Sequence, residues 1–209
     1  MRLQRLALAG PAGAIEAVLG SPAGPGAPRG VAVIAHPHPL YGGTMDNKVV
    51  QTLARAFVAQ GYAAVRFNFR GIGGSAGAYD EGRGELQDLL AVVQQVAVDG
   101  VIALAGFSFG AFVANQALAR LWPERTIAHA VLVGTAVTHF EAAQVPDPAR
   151  MRTLVVHGEN DDVVPLAAVL DWARPQLLPV TVVPAGVHFF HGQLPLLKGL
   201  VERHLQASF

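Results

Sequence analysis

The sequence predicts an α/β protein: a mostly parallel central sheet, helices on both of its faces, and a β-hairpin at its start. Three observations carry this. Short runs rich in β-branched residues alternate with longer segments whose apolar residues recur at helical spacing. The short runs are continuously apolar, as strands are when both faces of a parallel sheet are covered. The opening residues, by contrast, mix apolar with polar positions on either side of a Gly-Pro-Ala-Gly turn.

In chain order, LQRLALAG (3–10) and AIEAVLG (14–20) are expected to pair as the hairpin. SPAGPGAPRG (21–30) is a connection too short to separate domains. VAVIAH (31–36) is the first buried strand. KVVQTLARAFVAQ (48–60) sets Val49, Val50, Leu53 and Phe57 at helical spacing and stops at Gly61. YAAVRFNF (62–69) is a strand, and ELQDLLAVVQQVA (85–97) a helix with Leu86, Leu89, Leu90, Val93 and Val96 on one face. VIALAG (101–106) leads into a helix over 108–121, ended by Pro123. VLVGTA (131–136) and TLVVHG (153–158) are strands, 165–174 a helix with Pro165 in its first turn, VTVVP (180–184) the last strand and 192–206 the last helix. Residues 1–209 are read as one domain, which the length allows.

Composition narrows the function classes. Lys+Arg and Asp+Glu number 15 each, so no net charge draws the chain to nucleic acid or an anionic membrane. With 52% apolar and 14% charged residues the chain is not a disordered one. The absence of cysteine removes disulfides, thiolate metal sites and a cysteine nucleophile together. Arg2 and Arg5 precede a weakly apolar stretch from Leu6 to Leu19, but Pro11 and Glu16 interrupt it, and no run is long enough to span a bilayer. A cytoplasmic location is the expectation.

GFSFG (Gly106 to Gly110) stands between a predicted strand and a predicted helix, the setting a G-x-S-x-G nucleophile elbow requires. There the chain turns sharply, Ser108 is held exposed in a strained conformation, and glycines let strand and helix approach. The helix N-terminus beneath favours developing negative charge. The plainer reading is a serine that caps a helix. A serine hydroxyl needs a base to take its proton. HGENDDVVP (157–165) follows a strand and offers Asp161 or Asp162, of which Asp161 is preferred. PAGVHFFHG (184–192) follows the last strand and offers His188, with His191 as competitor. The order Ser108, Asp161, His188 is the one α/β-hydrolases use, and all three fall just past carboxyl ends of strands.

An acyl-transfer intermediate also needs fixed donors. The backbone N–H of Phe109 is one. HPHPLYGG (36–43) supplies the other: Pro37 and Pro39 have no N–H, leaving His38 or Leu40, with His38 preferred. Leu40, Tyr41, Arg70 and His191 are candidate substrate contacts, although Arg70 equally suits a structural ion pair. The pairs His36/His38 and His188/His191 imitate a metal site without a supporting carboxylate motif. RGIGGSAG (70–77) imitates a dinucleotide fingerprint but follows the wrong strand and no helix opens directly after it. Neither metal nor cofactor is expected.

HPHPLYGGTMDNKVV, RFNFRGIGGSAG, GFSFGA and HFFHG together resemble a small bacterial family of serine α/β-hydrolases related to dienelactone hydrolases, over about residues 30–205. The resemblance implies the α/β-hydrolase fold and a triad at Ser108, Asp161 and His188. It departs from the dienelactone hydrolases themselves, which use a cysteine nucleophile. Residues 137–152, the only link between the strands at 131–136 and 153–158, are too few for a cap domain, so an open site is expected. The functional expectation is hydrolysis of small-molecule carboxylic esters or thioesters through an acyl-enzyme. The rivals are a non-catalytic small-molecule binder on the same fold and a metal hydrolase.

Overall fold

A computed structural model describes residues 1–24, 26–122 and 124–207. Pro123, expected to end a helix, lies outside them. The hairpin forms from β1 (Arg2–Gly10) and β2 (Gly13–Ser21), antiparallel with Leu8 opposite Ile15. The strands that follow are β3 (Val31–Ala35), β4 (Ala63–Phe67), β5 (Ile102–Phe107), β6 (Ile127–Val133), β7 (Thr153–Gly158) and β8 (Val180–Val183). The helices are α1 (Lys48–Ala59), α2 (Arg83–Val96), α3 (Phe109–Leu121), α4 (Leu166–Ala173) and α5 (Leu194–Gln206).

The eight strands form one sheet in the order β1-β2-β4-β3-β5-β6-β7-β8. The β1/β2 and β2/β4 pairs are antiparallel and every other neighbour pair is parallel. Strand side chains alternate between faces, and both faces are covered. Val33, Val65, Leu104, Leu132 and Val155 pack against Leu89 and Val93 of α2, Val113 and Leu118 of α3 and Val169 of α4. Ile34, Ala64, Ala105, Val131 and Val156 pack against Leu53 and Phe57 of α1 and Leu197, Val201 and Leu205 of α5. Two dry faces explain the unbroken apolar runs: a polar residue at either parity would be buried.

Several boundaries differ from expectation, and the contacts around them show why. β6 begins at Ile127, four residues early, because His129 interrupts the apolar pattern yet is buried with its ring against His204. It ends at Val133 because Gly134 turns the chain at φ 56°. α2 begins at Arg83, two residues early: the Glu85 carboxylate reaches back to accept the N–H groups of Gly82 (2.8 Å) and Asp80 (2.9 Å). α5 begins at Leu194, two residues late, after a turn closed by the Gln193 N–H to the Phe190 carbonyl.

The site is positioned by the carboxyl ends of β3, β5, β7 and β8. Ala35 pairs with Gly106, so the chain leaves β3 and β5 side by side. Between β6 and β7 the only regular element is a short 3-10 turn, Asp147–Arg152, and no lid domain stands there.

Candidate active site

Ser108 sits at the junction of β5 and α3 with φ 57° and ψ −119°, a backbone conformation that costs a non-glycine residue energy. The strain is held from several sides. The Ser108 N–H donates to Val133 O (2.8 Å), and its carbonyl accepts from Ala111 (3.0 Å) and Phe112 (3.2 Å) in the first turn of α3. The two glycines of GFSFG are steric requirements. A Cβ on Gly106 would lie 2.1 Å from Gly110 O, and one on Gly110 would lie 2.4 Å from both Ala35 O and His36 O. Strand, helix and the loop after β3 therefore touch backbone to backbone around the serine.

His188 Nε2 lies 3.0 Å from Ser108 Oγ, and His188 Nδ1 lies 2.7 Å from Asp161 Oδ2. Asp161 Oδ1 accepts the N–H groups of Val163 (3.0 Å) and Val164 (2.8 Å). Burial alone would push the Asp161 carboxyl up. The hydrogen bond from His188 and those from Val164 and Val163 outweigh it, and the group is held below the usual carboxylate range. An ionised Asp161 can only accept, so the proton of a neutral His188 sits on Nδ1, and Nε2 is left to take one from Ser108. The loops bearing acid and base are tied together. The Glu159 N–H reaches Val183 O (3.0 Å), the Asn160 N–H reaches Gly186 O (2.8 Å), and the Ala185 N–H reaches Glu159 Oε2 (2.8 Å). Ala185 and Phe190, both at positive φ, bracket His188, whose ring lies 4.9 Å from that of Phe107 and 5.1 Å from that of Phe189.

This geometry has relatives. Residues 15–139, which hold Ser108 but neither Asp161 nor His188, match the family described as X-Pro dipeptidyl-peptidase (S15 family). An α/β serine hydrolase without a lid from Xanthomonas campestris is 33% identical over 100% of this chain and 98% of its own, with a TM-score of 0.87. The chain belongs to the S15 family, among the α/β serine hydrolases. An α/β serine hydrolase homologue from Coxiella burnetii is similar over 97% of both chains, at 38% identity and a TM-score of 0.81. An uncharacterized protein of Rickettsia prowazekii (strain Madrid E) is 37% identical over 168 residues, which are 78% of this chain and 68% of that one.

In this S15 chain the backbone N–H groups of Phe109 and His38 make no hydrogen bond among the described residues. The Leu40 N–H does: it donates to His38 Nδ1 at 3.2 Å. Leu40 is thereby occupied, and His38 carries its own ring proton on Nε2. Burial, then the neighbouring His139, holds the His38 imidazole below its ordinary range, hence neutral near pH 7. The His38 ring lies 5.0 Å from Phe109, 4.7 Å from Tyr41 and 4.9 Å from Tyr79, which fixes the loop over the N-terminus of α3. Leu40 (64% exposed) and Tyr41 (86%) stand on that loop's outer side, and Phe189 (43%) and the exposed His191 stand beside His188.

Arg70 is held in the structural ion pair that the sequence equally allowed. Its guanidinium makes a two-pronged pair with buried Asp88, at 2.8 and 3.0 Å. Asp162 is exposed and takes no part in the contact with His188. His36 is also committed: Nδ1 donates to Pro37 O (2.6 Å) and Nε2 accepts the Phe69 N–H (3.0 Å), which leaves no lone pair for a metal. Burial pushes its pKa down to about 4. The 70–77 loop is pinned by Glu16 of β2, whose carboxylate accepts the Gly74 N–H and the Asn68 amide, both at 2.8 Å. One site residue escaped the sequence reading. His157, the last side chain of β7, lies 3.5 Å from Asp161 Oδ2. The only signal was a histidine closing an otherwise apolar strand directly before the acid loop.

Proposed function

We propose that the protein hydrolyses carboxylic esters or thioesters through an acyl-enzyme. Ser108 is the nucleophile, His188 the proton carrier, Asp161 its orienting acid, and the N–H groups of Phe109 and His38 the oxyanion donors. The observation that carries the reading is the unbroken chain from Ser108 Oγ through His188 to Asp161, at 3.0 and 2.7 Å, on a strained elbow. As Oγ attacks the carbonyl carbon, its proton passes to His188 Nε2, and the imidazolium so formed faces the Asp161 carboxylate. The carbonyl oxygen gains negative charge beside two N–H groups and the N-terminus of α3. Collapse expels the alcohol or thiol, which takes the proton back from Nε2. Water then repeats the sequence and frees the acid.

Two features favour esters of uncharged, apolar acids. Leu40, Tyr41 and Phe189, exposed on the loops that carry His38 and His188, are apolar or aromatic, and Arg70, the candidate cation, is paired with Asp88. No lid encloses the substrate, so broad rather than tight selection among acyl groups is expected. All parts of the machinery come from one sheet, and we read residues 1–209 as one catalytic domain. The test is pre-steady-state hydrolysis of p-nitrophenyl acetate. A burst of p-nitrophenol proportional to enzyme, absent in Ser108→Ala, is the expected result. An equal burst from that variant refutes the assignment.

A second reading is favoured by the family match over residues 15–139: cleavage of an X-Pro dipeptide from a peptide. It uses the same three residues, with His188 protonating a leaving amine. A Gly-Pro p-nitroanilide run beside p-nitrophenyl esters separates the two. Faster kcat/KM on the anilide favours the peptidase reading.

A further inference from the structure

The imidazole of His157 is wholly buried at the end of β7, behind the carboxylate that holds His188. Its Nε2 lies 2.8 Å from Val164 O and 3.5 Å from Asp161 Oδ2. A carbonyl only accepts, so the proton of His157 is on Nε2, and that N–H donates to the Val164 carbonyl, with Asp161 Oδ2 3.5 Å away, beyond hydrogen-bond contact. Nδ1, on the far side of the ring, has no hydrogen-bond partner among the described residues. A phenylalanine would fill the same space without stranding a buried nitrogen, so packing alone gives no reason for a histidine here.

We propose that His157 is a positioning residue for the hydrolytic reaction: with its Nε2–H anchored on the Val164 carbonyl, the ring sets the charge that Asp161 Oδ2, 3.5 Å away, presents to His188. The inference rests on the triad reading above and extends it by a fourth side chain. Three donors already meet Asp161: Val163 and Val164 on Oδ1, and His188 on Oδ2. His157 approaches Oδ2 as well, so that oxygen faces one imidazole that turns over protons and one that keeps its own. The titratable groups facing His157 are Asp161 and His188. Burial holds the His157 imidazole below its ordinary range, so it stays a neutral donor rather than a second cation beside the acid.

The arrangement has a consequence of definite sign. The positive N–H end of the His157 ring, 3.5 Å from Oδ2, offsets part of the carboxylate's charge and weakens its hold on the His188 imidazolium. Losing that N–H strengthens the hold, so the acid limb of the kcat/KM profile moves to higher pH. Collapse of the turn instead removes the carboxylate from His188, and the limb moves to lower pH. The direction therefore separates an electrostatic and positional role from a merely structural one.

The test compares His157→Phe with His157→Gln, whose amide nitrogen reaches the Nε2 position. In His157→Phe we expect kcat to fall about tenfold, the worth of one hydrogen bond, with KM little changed and the acid limb displaced upward. His157→Gln restores both. Proton NMR reads the same contact without turnover. The downfield resonance of the proton between His188 and Asp161 moves further downfield in His157→Phe and returns in His157→Gln. Should His157→Phe not fold, His157→Asn, too short to reach the Nε2 position, takes its place against His157→Gln. An acid limb and a downfield resonance that coincide with wild type, or that move the other way, overturn the proposal. Fluorophosphonate labelling of wild-type Ser108 is scored separately: its failure strikes the triad reading, while the NMR comparison still judges His157.

Discussion

Replacing Gly110 with alanine puts a methyl carbon 2.4 Å from the carbonyl oxygens of both Ala35 and His36 and 2.5 Å from Ala35 C. These are backbone atoms at the end of β3, and no side chain can swing aside to make room. Ordinary carbon–oxygen contact begins at about 3.3 Å, so α3 and the loop carrying His38 must part by about 0.9 Å. Two effects follow from one displacement. Overpacking of this kind costs about 1–3 kcal/mol of stability. Moving the His38 N–H from the Phe109 N–H by nearly an ångström should cost about 10²-fold in kcat, because the two proposed oxyanion donors would no longer converge on one oxygen. The assay is urea unfolding alongside steady-state hydrolysis of p-nitrophenyl acetate. Gly199, on α5 with nothing within 4 Å of its missing Cβ, is the control. Gly199→Ala should stabilise by about 0.5–1 kcal/mol through helix propensity and leave kcat alone. A Gly110→Ala variant with wild-type midpoint and wild-type kcat would show that the close approach of loop and helix is not what shapes the site.

Other expectations follow from the same contacts. Asp161→Asn should lower kcat by about 10⁴-fold, because a neutral amide no longer fixes the His188 tautomer; Asp162→Asn, at an exposed position, should change kcat little, and steady-state rates on one ester decide both. Arg70→Ala leaves Asp88 buried and unpaired, so unfolding free energy should fall by about 3–5 kcal/mol with KM unchanged; a raised KM at unchanged stability would restore Arg70 as a substrate contact. His36 gives stability a pH dependence of definite sign. Its folded pKa of about 4 lies below the ordinary 6.5, so between those values the unfolded chain binds a proton that the folded chain refuses. Stability is therefore fully present above pH 6.5 and falls as pH drops toward 4, by on the order of 3 kcal/mol from this group. The slope of urea midpoints across that window should lessen in His36→Asn, the remainder coming from groups such as His129, whose pKa burial also lowers to about 4. Asp161, with its carboxyl held below the usual range, acts in a different window: its contribution persists above the ordinary carboxylate pKa and is lost only as pH falls below it.

The parts of this protein that were readable from sequence are those fixed by local rules. Continuous apolar runs marked strands buried on two faces, and β3, β5 and β7 lie within a residue of where those runs stand. GFSFG marked the elbow because its glycines answer to backbone contacts made within the same short turn. Less readable were features decided by distant partners. His129 broke the apolar pattern of β6, since nothing local says that His204 will cover it. Arg70 offered a free charge until the fold supplied Asp88, 18 residues away. In the 36–43 loop the prolines left His38, the preferred donor, and Leu40, and that a ring nitrogen of His38 takes the Leu40 N–H is a matter of rotamer. His157 went unnoticed because its role depends on which face of β7 looks onto the acid turn.

The proposed reaction passes through a covalent bond to one oxygen, and intact-protein mass spectrometry reads it. Wild-type enzyme mixed with p-nitrophenyl acetate and quenched in acid within the burst should carry one acetyl group, mapped by peptide digestion to Ser108, and His188→Ala should carry almost none. A protein that turns over the ester with its mass unchanged at every quench time, or an acetyl group mapped elsewhere, would contradict it.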